Sequence, residues 1–136
     1  MWLVGLPESP ATGEIANRYV EQAMDDCIFC KIVRGEIASR RVAGNDHAIA
    51  FDDIDPKAPV HTLVIPKIHI SALHDASAQH RDVLADCLLL CNEVAHAKGI
   101  AESGYRVMTS DGADGGQEVM HLHFHVLGGR KLKFGV

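Results

Sequence analysis

A chain of 136 residues, 47% of them hydrophobic, is one domain of ordinary size that can bury a core. A formal charge of −5 argues against a general nucleic-acid binder, whose affinity rests on Lys and Arg neutralising phosphates, but is compatible with one small nucleotide. There is no apolar run of the roughly 18 residues a membrane span needs, and the short apolar opening Met1–Pro7 lacks the basic region of a secretory signal.

Residues 1–25 read as an appendage. Pro7 and Pro10 keep its first part extended. Thr12 is placed to cap a short helix over Glu14–Ala23, with Ile15, Tyr19, Val20 and Ala23 on one face. That face either docks on the domain or on a second subunit, or belongs to a frayed tail. The domain proper spans 26–136. A short helix is expected over Cys27–Val33. Strands are expected over Arg40–Ala43 and Ala48–Asp53, joined through Gly44, Asn45 and Asp46. Pro56 and Pro59 break the chain after the second strand, and His61–Ile65 is a β-branched strand ended by Pro66. Ser77 caps one long helix, Ala78–Lys98, stopped by Gly99. Its buried stripe is read as Val83, Leu84, Cys87, Leu88, Cys91, Val94 and Ala95. Tyr105–Ser110 is a strand, Asp111–Gly116 a Gly/Asp loop, and Val119–Leu127 the last strand. Five strands and one long helix without βαβ alternation give an α+β domain on an antiparallel sheet.

The last strand carries the chemistry. In Met120-His121-Leu122-His123-Phe124-His125-Val126, period-two alternation sends Met120, Leu122, Phe124 and Val126 to the core and all three histidines to the other face. Neighbouring histidines lie ~6.6 Å apart along a strand and the outer two ~13 Å, so the three cannot share one metal and must divide their labour. A neutral imidazole serves as base, acid or nucleophile, and a second can hold the first in the right tautomer. His123, flanked on both sides, is the best nucleophile for attack on phosphorus. Upstream, Gly112, Gly115 and Gly116 let backbone N–H groups approach an anion, with Ser110 and Gln117 as neutral donors. His61, opening an apolar strand, is read as a further site residue.

Cys27 and Cys30 form a C-x-x-C pair, open between zinc and redox chemistry by spacing alone. Zinc needs two more ligands, for which His69 and His121 are the best placed. Cys87 and Cys91, one helical turn apart on the apolar stripe, are expected in the core. With no sign of secretion, all four thiols are expected free or metal-bound in a reducing compartment, the cytoplasm, with the nucleus also open. His47, His74, His80 and His96 are expected in solvated turns and helix flanks.

The run His121-Leu122-His123-Phe124-His125-Val126-Leu127 resembles the signature of the histidine triad (HIT) family, most closely its Hint branch of nucleotide-binding proteins. Ile28-Phe29, Phe51-Asp52-Asp53-Ile54, Ala58–Lys67, Asp114-Gly115-Gly116-Gln117 and Val126–Arg130 support it, so the resemblance covers Asp26 to Arg130. It implies a five-stranded antiparallel sheet with one long and one short helix, pairing into a homodimer with a continuous sheet. It implies hydrolysis of purine nucleoside phosphoramidates, such as adenosine 5′-phosphoramidate or an aminoacyl adenylate, through a nucleotidyl-histidine on His123. His125, Gln117 and the Gly116 backbone would hold the phosphate, while His61 and His121 would orient His123 or relay protons. Asp53 would bind the ribose. Ile28, Phe29, Ile32, Ile37, Phe51, Ile54 and Leu63 would line the base pocket. It also implies a structural zinc on Cys27, Cys30, His69 and His121, which leaves His121 less free for proton transfer. Ser110, Asp52 and Glu118 depart from the usual Hint residues, and Glu118 brings a carboxylate where a hydroxyl donor is usual. Two other readings stay open: a dinucleoside polyphosphate hydrolase, and a nucleotide-binding regulatory protein with weak catalysis.

Overall fold

A computed structural model describes residues 25–135. The extension and its helix over Glu14–Ala23 lie outside the described residues. The elements run α1 (Ile28–Val33), β1 (Arg41–Gly44), β2 (Ala48–Asp52), β3 (Val60–Pro66), α2 (Arg81–Ala97), β4 (Tyr105–Met108), the single turn α3 (Gly112–Gly115) and β5 (Phe124–Gly128). The strands form one antiparallel sheet in the order β1-β2-β3-β5-β4.

Alternation along the strands splits the core in two. Ala48, Ala50, Val64, Phe124 and Val126 face α2 and meet Val83, Cys87, Leu90, Cys91 and Val94. Ile49, Phe51, Leu63 and Ile65 face the other way, onto Phe29 and Ile32 of α1 and the side chains of Cys27 and Cys30. The first layer is a purely apolar foundation, where burial pushes the Cys87 and Cys91 thiols up to about 12. The second mixes apolar groups with every sulfur and imidazole of interest.

Several elements differ from the sequence reading. Ser77 does start the helical run, but caps a 3₁₀ turn over Ala78–His80, and α2 begins only at Arg81. Leu90 is fully buried where Leu88 was expected, and Leu88 is 53% exposed, because the stripe that meets the sheet runs Val83, Cys87, Leu90, Cys91 and Val94. The largest difference is at the last strand. β5 begins at Phe124, five residues later than expected, because β4 ends at Met108 and offers no ladder to residues 119–123. The Leu122 amide donates to Ile70 O instead, at 2.6 Å, and Thr109 Oγ1 donates to His123 O at 2.7 Å. The chain bends before the strand, so Met120 is 51% exposed rather than in the core, while Leu122, Phe124 and Val126 remain inward.

Candidate active site and metal centre

The bend divides the three histidines. His121 is fully buried and swings toward α1, where its Nδ1 lies 3.2 Å from Cys27 Sγ and 3.5 Å from Cys30 Sγ. His69 Nδ1 lies 3.3 Å from Cys30 Sγ. Cys27 is the N-cap of α1 and its sulfur accepts from the Cys30 amide, so the pair is presented from one helical turn. The ligand-type atoms of Cys27, Cys30, His69 and His121 all lie within 4.8 Å of one another.

This set fits a tetrahedral zinc. Bonds of ~2.3 Å to sulfur and ~2.0–2.1 Å to nitrogen put neighbouring ligand atoms roughly 3.5 Å apart. The tautomers agree. Pro66 O accepts from His121 Nε2 at 2.9 Å, so the proton is on Nε2 and the Nδ1 lone pair faces the thiols. His69 Nε2 is likewise paired with Ser71 Oγ at 3.2 Å. Burial opposes ionisation of Cys27, but without a metal a proton on the imidazole nitrogens that face its sulfur lets His121 and His69 donate to the thiolate, which outweighs burial and brings the thiol down to about 5. A cation would take that proton's place and meet the lone pairs. Burial and the neighbouring Cys27 sulfur push Cys30 up to about 12. Without a cation one negative charge is tolerated there; two thiolates require one.

His123 and His125 stay together, with ring centroids 5.0 Å apart. His123 Nδ1 lies 2.7 Å from His121 O. A carbonyl only accepts, so Nδ1 carries the proton and Nε2 presents a bare lone pair. Phe29 stands edge-on to both His121 and His123, at 5.8 and 5.2 Å, and so separates the two centres. Leu63 pairs with His125 across β3 and β5, which makes His61 and His125 diagonal neighbours on one face. The Lys57 amide donates to His61 Nδ1 at 3.0 Å. His61 must then carry its proton on Nε2 and donate to His125 Nδ1 at 2.8 Å, leaving His125 with an Nε2–H turned outward. Asp53 Oδ2 lies 3.5 Å from His61 Nε2. Burial depresses the pKa of His61, His123 and His125, the last to about 4, so all three are neutral at pH 7.

Other expected residues are distributed unevenly. Phe29, Ile32, Phe51 and Leu63 form one buried cluster with Ile37 against it. Ile54 does not join them: Asp53 Oδ1 accepts from the Asp55 amide, the turn swings outward, and Ile54 is 99% exposed. Ile28 is 46% exposed at the mouth of a cavity of about 380 Å³ that Asp26, Glu118 and Met120 also line. Gln117 is buried with both ends occupied: it accepts from Gly112 N and donates to Ser71 O and Val119 O. It braces the glycine loop instead of offering a free donor to phosphate. Ser110 is half-buried beside Gly115, and Gly116 takes the left-handed φ of +85° that closes α3. Asp52 lies away from the base side of the sheet, where it binds Thr62 Oγ1 and Lys98 Nζ. Sequence reasoning missed the Lys57 amide, Pro66 O and His121 O, because backbone groups leave no mark in side-chain pattern.

One five-stranded antiparallel sheet thus carries a cluster of neutral imidazoles, of which His123 presents a bare ring nitrogen of the kind nucleophilic catalysis uses. Residues 34–132 match the HIT domain, and the chain belongs to the HIT family. It is 45% identical over 108 residues to the purine nucleoside phosphoramidase of Escherichia coli K12, covering 79% of this chain and 91% of that protein. It is 42% identical to protein HitA of Neisseria gonorrhoeae over 77% of this chain and 97% of that one. Among solved structures, a HIT family hydrolase from Legionella pneumophila superposes with a TM-score of 0.78 at 42% identity, covering 81% of this chain and 98% of that one. A histidine triad protein from Clostridium difficile does so at 0.76 and 46%, covering 79% and 94%. Among the described residues no helix is long and apolar enough to cross a membrane.

Proposed function

We propose that this protein hydrolyses purine nucleoside 5′-phosphoramidates, with adenosine 5′-phosphoramidate as the simplest substrate; with an aminoacyl adenylate the same attack would break a P–O bond and release the amino acid carboxylate. The observation that carries the reading is the hydrogen bond from His123 Nδ1 to His121 O, which leaves Nε2 as a nucleophile at neutral pH. The likeness to a named phosphoramidase supports it. In the first step Nε2 bonds to the α-phosphorus and the P–N bond breaks with its electron pair on the amine, which takes a proton from solvent. In the second, water attacks phosphorus, the P–Nε2 bond returns its pair to His123, and a proton leaves to solvent. One water is consumed, and amine and nucleoside monophosphate are released. The outward Nε2–H of His125 donates to the phosphate as charge builds, and His61 holds it in that tautomer. Asp53 binds the ribose, the Gly116 backbone contacts the phosphate, and the base sits against Phe29, Ile32 and Phe51.

Cys27, Cys30, His69 and His121 would hold the structural zinc, which supplies a cross-link between α1 and the sheet and no redox chemistry. The chain would pair along β4, a sheet edge whose Tyr105 hydroxyl donates to Asn92 of α2. The exposed Leu88 and Leu89 lie one turn before Asn92 and extend the same surface.

Hydrolysis of adenosine 5′-phosphoramidate by wild type and His123→Ala tests the reading. Loss of turnover in the variant is expected, and equal rates overturn it. Preferential cleavage of a dinucleoside polyphosphate moves the protein to the sister activity; tight nucleotide binding without turnover makes it a regulatory binder.

A further inference from the structure

We propose that His74 and Asp111, neither of which touches the reacting atoms, are positioning residues that hold the glycine loop 112–116, whose Gly116 backbone the proposed reaction places against the phosphate. The inference rests on the phosphoryl-transfer reading for its consequence, but its geometry stands alone. His74 grips Asp111 twice: its backbone amide donates to Oδ2 at 2.8 Å, and its Nδ1 lies 2.8 Å from Oδ1. The two residues are 37 apart in the chain. Asp111 is the N-cap of α3, where an aspartate ordinarily accepts from the amides of its own turn. Here its side chain makes no cap hydrogen bond and reaches across to His74 instead.

The other end of the loop is tied to the same segment. Gln117 Nε2 donates to Ser71 O at 2.7 Å, and Gln117 Oε1 accepts from Gly112 N at 2.9 Å. Gly112 and Gly116 both have positive φ, +75° and +85°, and form the two hinges of the turn between these ties. The loop is thus pinned immediately before its first hinge and immediately after its second, both times to residues 71–74. The His74 hydrogen bonds also hold the Asp111 carboxyl below its usual range, so it grips as a carboxylate.

The pair lies at the surface, with 65% and 34% of the two side chains exposed. A pair of that kind contributes little to global stability. Its effect is therefore local and separable from folding.

The test compares wild type, His74→Ala and His74→Asn, whose Nδ2 takes the place of the imidazole Nδ1. His74→Ala should speed amide exchange at residues 112–117 about tenfold and lower kcat/KM for adenosine 5′-phosphoramidate by a similar factor. The thermal midpoint should move by less than about 2 °C. His74→Asn should restore both exchange and kcat/KM. Breaking the comparable His47–Asp86 pair with His47→Ala, far from the loop, should change neither. The proposal fails if His74→Ala leaves exchange and kcat/KM within about twofold of wild type, or if His74→Asn behaves as His74→Ala does. A wild-type protein that does not cleave the P–N bond overturns the functional reading alone, because the exchange comparison still decides the latch.

Discussion

Two clusters of ligand-type side chains lie on one face of this sheet. Cys27, Cys30, His69 and His121 form one; Asp53, His61 and His125 form the other. In each, the candidate atoms lie within 4.8 Å of one another, so proximity does not separate them. Proton accounting does. In the first cluster Pro66 O takes the His121 proton, which leaves its Nδ1 lone pair aimed at the sulfurs, and His69 Nε2 is occupied by Ser71 Oγ with its Nδ1 turned to Cys30. In the second the Lys57 amide occupies His61 Nδ1, and the His61 Nε2 proton occupies His125 Nδ1. What remains there is an N–H donor, useful to a phosphate oxygen and useless to a metal. The same residue type, four positions apart in one row, presents a lone pair or an N–H according to which hydrogen-bond partner it meets, Pro66 O for His121 and the His61 side chain for His125.

The largest effect should come from His123, which belongs to neither cluster. His123→Ala should reduce kcat by about 10⁴ or more while leaving metal content at one per chain, checked by turnover and elemental analysis. Next in size, Cys30→Ser should abolish metal retention and lower the thermal midpoint by about 10 °C. His61→Ala should keep the full metal content, and a loss of metal there would break the distinction drawn between the clusters. That variant should cost about tenfold in kcat, because His125 loses the partner that fixes its tautomer.

A smaller effect is expected from pH. His125 has a folded pKa of about 4 against an ordinary value of 6.5, with His61 and His123 shifted the same way. Between those pH values the unfolded chain binds protons that the folded chain refuses, so stability rises with pH. Denaturant midpoints should therefore be level above about pH 6.5 and fall as pH drops toward 4. A midpoint that rises as pH falls through that interval would show that the imidazoles are charged in the fold. Least of all, Lys98→Met should cost about 1 kcal/mol or less and leave kcat unchanged, since Asp52 faces α2 rather than the site.

Much of the site was legible in the sequence because it is written in local pattern. Leu122, Phe124 and Val126 alternate with His123 and His125 at the period of a strand, and that period alone puts two histidines on the face opposite the core. The C-x-x-C spacing likewise puts two sulfurs on one helical turn, and the distance between the outer histidines of the row already required the three to divide their labour. What pattern could not reach is where a period stops. Nothing in Val119–His121 announces the bend, because it depends on β4 ending at Met108 and on Ile70 O claiming the Leu122 amide. Leu88 and Leu90 are equally apolar, and only the angle at which α2 meets the sheet buries the second.

Composition and spacing by themselves determined an α+β domain, a histidine row with divided labour and a pair of thiols seeking ligands. Tertiary structure decided the division: His121 to the sulfurs 94 and 91 residues before it, His123 to a carbonyl and His125 to His61. It also turned Gln117 from a donor into a brace and joined His74 to Asp111. Side-chain identity and short-range period are properties of the chain. Which nitrogen of an imidazole keeps its proton is set by a hydrogen-bond partner elsewhere in the fold, and for His61, His121 and His123 that partner is a backbone group the sequence does not distinguish.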